Sequence, residues 1–182
     1  LLLARRLGLA FYDKEIVELT AAKTKFSREF VQAHGEYFRS GTLGHIIGYG
    51  TRFDGAYKTG SSLTDQLHQA QCEVVQEVAA QGPCVIVGRC ADRVLEGKYP
   101  TLNVFIHSDM AHKVERSIQE HGLDPERAAA ILTRRDKARA HHYRFYTERK
   151  WGDVRNYDIC LDSGRLGLER CVDILADAYQ KW

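Results

Sequence analysis

The residues with the clearest chemical potential in this chain form one basic segment between residues 133 and 151. Seven lysines and arginines in it face only two acids: Arg134, Arg135, Lys137, Arg139, Arg144, Arg149 and Lys150, opposed by Asp136 and Glu148. The segment therefore carries a local charge of +5, whereas the whole chain carries +2. Positive charge concentrated in this way indicates a specific anionic ligand. Guanidinium groups bind phosphate oxygens in pairs, so phosphate is the expected anion; the alternative is a solvated, charged helix face.

Strands that alternate with helices have to position these groups. Short strands are predicted at 9–12, 84–87, 102–107 and 157–161, and the apolar run at 84–87 lacks polar alternation, as strands buried in parallel sheets do. Helices are predicted from 13, from 27 to about 38, at 63–81, at 109–122, from 124 through the basic segment, and at 168–179. This order predicts an α/β fold with parallel strands and right-handed crossovers.

Charged and polar residues follow these strands, where open parallel sheets bind their ligands. We expect them to meet on one rim of the sheet: Asp13, Gly88-Arg89, His107 to Asp109, and Asp162-Ser163. Asp13 and Ser27 are also predicted to cap the helices that follow them. Asp124-Pro125 is a strong start for the helix that carries the basic segment.

The composition fits a globular protein of one domain. The 182 residues are 44% hydrophobic and 27% charged, with no apolar run of about 18–20 residues and no visible signal peptide. The five cysteines show no paired or zinc-type spacing, so we interpret them as small, reduced core residues of a cytoplasmic protein. Leu1 to Leu7 followed by Gly8 reads as the end of a helix, so we expect the chain to begin inside a longer polypeptide.

Residues 39–62 contain six glycines and several aromatic residues without a clear period. This pattern predicts a mobile loop or arm that is too long to be a simple connection. Tyr49, Arg52 and Tyr57 are candidates for contacts with a ligand, on the position of the arm alone.

Several motifs together resemble the cytidylate kinase-like family, P-loop proteins related to nucleoside monophosphate kinases. The motifs follow in the family's order across nearly the whole chain: Phe11-Tyr12-Asp13-Lys14-Glu15, Val85-Ile86-Val87-Gly88-Arg89, Val104-Phe105-Ile106, Thr133-Arg134-Arg135-Asp136-Lys137, and Trp151-Gly152-Asp153 to Tyr157-Asp158. The resemblance implies a three-layer fold with about five parallel strands, a phosphate loop and a helical lid at about 133–151. The first strand and the loop would precede Leu1, and no G-x-x-x-x-G-K-[ST] motif occurs in the 182 residues.

The resemblance also implies roles for particular residues. Asp13 resembles an acid near the acceptor and the metal, and Arg89 resembles an arginine that binds the acceptor phosphate. Arg135 and Arg139 resemble lid arginines that fold over the transferred phosphoryl group and offset its charge. Arg134 and Lys137, with Tyr49 and Arg52 of the arm, are further substrate-binding candidates. The implied activity is ATP-dependent phosphoryl transfer to a nucleotide or a related small acceptor, with Mg²⁺ held mainly by phosphates and water and no dedicated protein metal site.

The chain departs from cytidylate kinases at two positions. The helix after Asp13 offers Lys14 and Glu15 but no arginine, and Arg139 stands where a lid acid would read cytosine. A non-catalytic nucleotide-binding or sensing domain is therefore an alternative hypothesis. RNA binding by the basic helix is a third, which the near-neutral total charge disfavours. No membrane partner is expected, and the sequence predicts neither the acceptor nor the oligomeric state.

Overall fold

The structure, a computed structural model, describes residues 1–34 and 62–182. The chain divides into two compact units, one of residues 1–9 with 100–182 and the other of residues 10–99. The predicted arm lies almost wholly outside the described residues, and so do its candidates Tyr49, Arg52 and Tyr57.

The described residues form nine α-helices and four short strands. In chain order these are α1 (Leu2–Leu7), β1 (Ala10–Tyr12), α2 (Glu15–Lys23), α3 (Arg28–His34), α4 (Leu63–Ala80), β2 (Cys84–Ile86), α5 (Ala91–Leu95), β3 (Val104–His107), α6 (Met110–His121), α7 (Pro125–Thr147), β4 (Ile159–Asp162), α8 (Ser163–Leu166) and α9 (Leu168–Gln180). A 3-10 turn at Val154–Asn156 precedes β4.

The unit of residues 10–99 is built on α4. Helix α4 begins with a capping box, in which the Ser62 side chain accepts from the Asp65 N–H and the Asp65 side chain accepts from the Ser62 N–H. One side of α4 packs with α2 and α5 around a core of Ile16, Val74, Val75, Val78, Ala91 and Leu95. The parallel strands β1 and β2 adjoin this core, with Tyr12 opposite Ile86.

The unit of residues 1–9 and 100–182 contains the second parallel pair, β3 and β4, in which His107 lies opposite Asp162. Leu161, Cys171 and Leu175 form its buried cluster, and Leu3 of α1 packs against that cluster. Helix α7 runs beside α6 and carries the basic segment. Asp124 caps α7 by accepting from the Glu126 N–H, with Pro125 in the first turn, as the sequence predicts.

The structure confirms the mixed α/β class and the parallel strands and corrects the cap predicted at Asp13. Four strands form two two-stranded sheets among the described residues, so the expected central sheet of about five strands is not seen there. Ser27 caps α3 by accepting from the Phe30 N–H. The predicted cap at Asp13 is wrong: α2 begins at Glu15, its N-cap is Lys14, and no side chain caps it. The helix starts one residue too late for the Asp13 carboxylate to reach its first N–H groups.

Two further predictions concern cysteines and membranes. All five cysteines are reduced. Cys90 and Cys171 are buried as predicted for core residues, whereas Cys72, Cys84 and Cys160 are only partly buried. Among residues 1–34 and 62–182, none of the helices combines the length and apolarity that a bilayer span requires.

Candidate functional site

The first candidate region lies at the carboxyl ends of β1 and β2. Beyond the last paired residues of β2, the Val87 N–H donates to the Tyr12 carbonyl oxygen at 2.9 Å. This hydrogen bond keeps the ends of the two strands side by side. Asp13 directly follows Tyr12, and Gly88 and Arg89 directly follow Val87. The structure therefore brings Asp13 and Arg89 to the same edge of one parallel sheet, where ligands of such sheets bind.

The turn after β2 has an unusual backbone. Gly88, Arg89 and Cys90 have consecutive positive φ angles of 70°, 57° and 54°. For the two residues with side chains this left-handed conformation is unfavourable, and such strain is concentrated at functional sites. The turn leads at once into α5 and leaves Arg89 only 8% exposed. An arginine so enclosed at the end of a parallel strand is well placed to bind an anion.

Asp13 is the carboxylate at this edge that suits a divalent cation. Within the part of the chain that the structure describes, it has no ion-pair partner, and its backbone N–H donates to Glu15 Oε2 at 3.0 Å. No group of three or more His, Cys, Asp or Glu side chains in residues 1–34 and 62–182 could hold a metal alone. One available carboxylate fits Mg²⁺ that takes most of its ligands from phosphates and water.

The second candidate region lies at the carboxyl ends of β3 and β4. Ser163 Oγ donates to the His107 carbonyl oxygen at 3.1 Å across the pair. Asp162 Oδ1 accepts from the Gly164 and Arg165 N–H groups at 3.0 and 3.2 Å and so starts α8. A cavity of about 300 Å³ opens at this edge, and its lining includes Ser108, His112, Arg116, Ser163, Gly164 and Leu168.

His112 lines this cavity and pairs with Asp109, the N-cap residue of α6. Asp109 caps α6 by accepting from the His112 N–H at 2.9 Å and also contacts His112 Nδ1 at 2.8 Å. The backbone N–H of His112, and then its ring, lower the pKa of Asp109. The hydrogen bond to Asp109, together with its charge, raises the pKa of His112. Both side chains are exposed, so these shifts describe local electrostatics and not a large contribution to stability.

The basic residues of α7 lie on two different faces of the helix. Arg135 and Arg139 are four residues apart and share one face, whereas Arg134 and Lys137 line a shallow groove with Ala130 on another. Between the two arginines lies Asp136, whose Oδ2 accepts from Lys113 Nζ of α6 at 2.7 Å. Its Oδ1 lies 3.5 Å from Arg139 Nη1.

The motif that follows the basic segment has a structural role. Phe105 of β3 stacks on Tyr157 at a ring distance of 4.9 Å and meets Trp151 edge-on at 5.3 Å. Asp153 accepts from the Arg155 backbone N–H and pairs with its guanidinium, which holds the pKa of Asp153 well below its usual range. The aromatic contacts hold the chain after α7 against β3, and the Asp153–Arg155 pair stabilises the turn within that segment.

The predicted site residues thus fall into two groups. Asp13 and Arg89 lie together in the unit of residues 10–99, and Arg134, Arg135, Lys137 and Arg139 lie together on α7 in the other unit. That the two groups share a cavity stays a prediction. Sequence reasoning marked His107 to Asp109 and Asp162-Ser163 but missed His112 and Lys113. The Asp109-x-x-His112 spacing at a helix start was a usable signal for His112, whereas Lys113 gave none.

Short parallel strands, a predominantly helical chain and charged residues at the strand ends define a mixed α/β protein of the kind that binds ligands at the edge of its sheets. The chain belongs to the cytidylate kinase-like family, whose family model matches residues 2–165. No curated protein matches it significantly. It is similar to a crystal structure of an uncharacterized protein from Eubacterium ventriosum, with a TM-score of 0.70 and 24% identity over 99% of this chain and 88% of that chain. That likeness concerns the fold.

Proposed function

We propose that this protein is an ATP-dependent phosphotransferase that transfers a phosphoryl group to a nucleoside monophosphate or a related small phosphate-bearing acceptor. The observation that carries the proposal is Arg89, enclosed in a left-handed turn at the end of β2, at the same sheet edge as Asp13. Membership of the cytidylate kinase-like family supports it. The proposal includes one kinase domain over residues 1–182, with a central sheet of about five strands.

In the proposed reaction, the protein positions the reactants and neutralises charge. The Arg89 guanidinium binds the acceptor phosphate and holds its attacking oxygen in place. A new P–O bond forms to that oxygen as the bond to the leaving ADP breaks. Arg135 and Arg139 cover the transferred group and offset the charge that spreads over its oxygens. Asp13 would help to hold Mg²⁺, which when bound would further neutralise the charge of the donor phosphates.

Arg134 and Lys137 belong to the proposal as substrate-binding residues on a separate face of α7, and Tyr49 and Arg52 as contacts from the arm. The absence of an arginine after Asp13, and Arg139 at the position of a lid acid, favour an acceptor other than one read through a cytosine edge. For this reason the acceptor is proposed as a class and not as cytidylate.

An assay of ATP consumption over a panel of nucleoside monophosphates and small phosphate esters tests the proposal. We expect turnover on at least one acceptor. Replacing Arg135 with alanine is expected to reduce that turnover at least about tenfold, because one charge-stabilising donor is lost from the transition state. Arg89→Lys, which keeps the charge but loses paired hydrogen bonding, is expected to raise KM for the acceptor.

Arg170→Ala is the matched control, since Arg170 lies exposed in the first turn of α9. Thermal unfolding of every variant separates loss of fold from loss of function. Unchanged turnover in Arg135→Ala would remove α7 from the mechanism. Nucleotide binding in calorimetry without turnover on any acceptor would instead favour the non-catalytic sensing domain, and a steep fall in RNA affinity with salt would favour RNA binding.

A further inference from the structure

We infer that Lys113 is a positioning residue that keeps Arg139 available for phosphoryl oxygens by engaging the carboxylate of Asp136. This inference deepens the proposed function and rests on it. Nothing in the basic segment itself points to Lys113, because it lies on α6, 23 residues before Asp136.

Asp136 lies among cations on α7. It is the one acid of α7 between Arg134 and Thr147, and arginines lie on either side of it at 135 and 139. A carboxylate among arginines tends to form a paired, two-bond contact with one of them. Such a contact would occupy the same guanidinium N–H groups that have to bind the phosphoryl group.

The distances show which of the two cations Asp136 binds more closely. Lys113 Nζ donates to Asp136 Oδ2 at 2.7 Å, and both side chains are only about a quarter exposed, at 26% and 25%. Arg139 Nη1 stands 3.5 Å from Oδ1, which is an ion-pair contact and too long for a strong hydrogen bond, and its side chain is 43% exposed. Asp136 is therefore bound tightly by the lysine and loosely by the arginine.

Lys113 and Arg139 compete for the carboxylate of Asp136. With Lys113 present, Asp136 directs Arg139 by its charge without consuming the guanidinium donors. Without Lys113, the carboxylate loses its close cation and turns to Arg139, which is then less available to the ligand. Removing the carboxylate as well should release Arg139 again. The inference thus predicts that a second substitution repairs the first, which neither a simple tie between α6 and α7 nor direct phosphate binding by Lys113 predicts.

A double-mutant cycle on the full chain tests this inference with two readouts. One is the turnover defined above, and the other is calorimetric titration with inorganic tripolyphosphate at fixed ionic strength. Lys113→Met is expected to weaken tripolyphosphate binding and lower turnover by roughly tenfold, and Lys113→Met/Asp136→Asn to recover most of that loss. Lys113→Arg should lose less than Lys113→Met. Lys181→Met and Asp177→Asn, alone and together, form the matched control, because that exposed pair on α9 has a similar distance of 2.7 Å.

The two readouts separate this inference from the proposed function. If no form turns over any acceptor but tripolyphosphate binding shows the loss and its repair, the enzyme proposal fails and the role of Lys113 stands. If turnover is present and the double variant is no better than Lys113→Met in either readout, the role of Lys113 is overturned. A wild-type chain that does not bind tripolyphosphate overturns it as well. Thermal unfolding of all forms checks that losses do not come from instability.

Discussion

At the level of single residues, Gly164 lies just beyond the carboxyl end of β4, where it closely approaches Ser108 and His112. A Cβ added to Gly164 would lie 2.5 Å from Ser108 Oγ and 3.0 Å from His112 Cγ. The 2.5 Å distance is shorter than real Cβ contacts, so Ser108 or α8 would have to move to admit a side chain at residue 164. Gly164 also lines the cavity at this edge, together with His112 and Ser163.

We expect Gly164→Ala to lower the free energy of unfolding by about 1–3 kcal/mol, because the added methyl group overpacks the contact with Ser108 and His112. For a chain of this length that corresponds to a fall in Tm of roughly 2–10 °C. Thermal unfolding measures it. Ser108→Ala removes the nearest obstructing atom, so Gly164→Ala/Ser108→Ala should be more stable than Gly164→Ala. If Gly164→Ala is as stable as the wild type, α8 can shift to accommodate the methyl group without a loss in the free energy of unfolding.

Among the elements, α7 is held at both of its ends. Asp124 and Pro125 determine where it begins, through contacts within one turn. Beyond its C-terminus, the packing of Trp151 and Tyr157 on Phe105 attaches the chain to β3. This attachment explains the Trp-Gly-Asp motif in physical terms, since Gly152 also approaches the Phe105 ring closely. We expect this attachment to help orient the arginines of α7, although none of the three aromatic residues lies on that helix.

Replacing Trp151 with alanine is expected to destabilise the chain by about 2–3 kcal/mol, through lost burial and the lost edge-on contact with Phe105. Urea unfolding monitored by circular dichroism measures the change. Trp182→Ala is the control, because Trp182 is 63% exposed at the C-terminus and should contribute little. Equal stability of the two tryptophan variants would contradict an anchoring role for Trp151.

At the level of the whole molecule, we expect stability to decrease as the pH falls, because His68 is shielded from solvent. Burial in α4 lowers the pKa of His68 to about 4, and the charge of Asp65 only partly opposes this effect. The folded state thus keeps His68 neutral at a pH where the unfolded chain, with a histidine pKa of about 6.5, takes up a proton. The stabilisation is complete above pH 6.5 and is lost as the pH falls toward 4.

Between pH 7 and pH 5 this difference amounts to about 2 kcal/mol as an upper value. We expect denaturant unfolding of His68→Asn to show a smaller loss over that range than the wild type. His112→Gln serves as the contrasting control, because the raised pKa of His112 stabilises the folded state at lower pH and its removal should steepen the fall. Parallel profiles for the wild type and His68→Asn would contradict a buried neutral His68.

Much of the local structure could be predicted from the sequence. The apolar runs located the four strands to within about two residues, and the caps at Ser27 and Asp124 were found because capping depends on a few neighbouring residues. The Asp13 cap failed for a related reason, since whether α2 starts at residue 14 or 15 depends on how far β1 extends. The edge positions of Asp13 and Arg89 followed from the rule for parallel sheets.

What the sequence determined by itself was the order of strands and helices, the family and the concentration of positive charge on one helix, because these depend on patterns along the chain. The tertiary structure decided the enclosure of Arg89, the pairing of Lys113 with Asp136, the packing of Trp151 on Phe105 and the narrow space around Gly164. The last three are contacts between residues that are distant in sequence, and no local pattern encodes the distance between such residues.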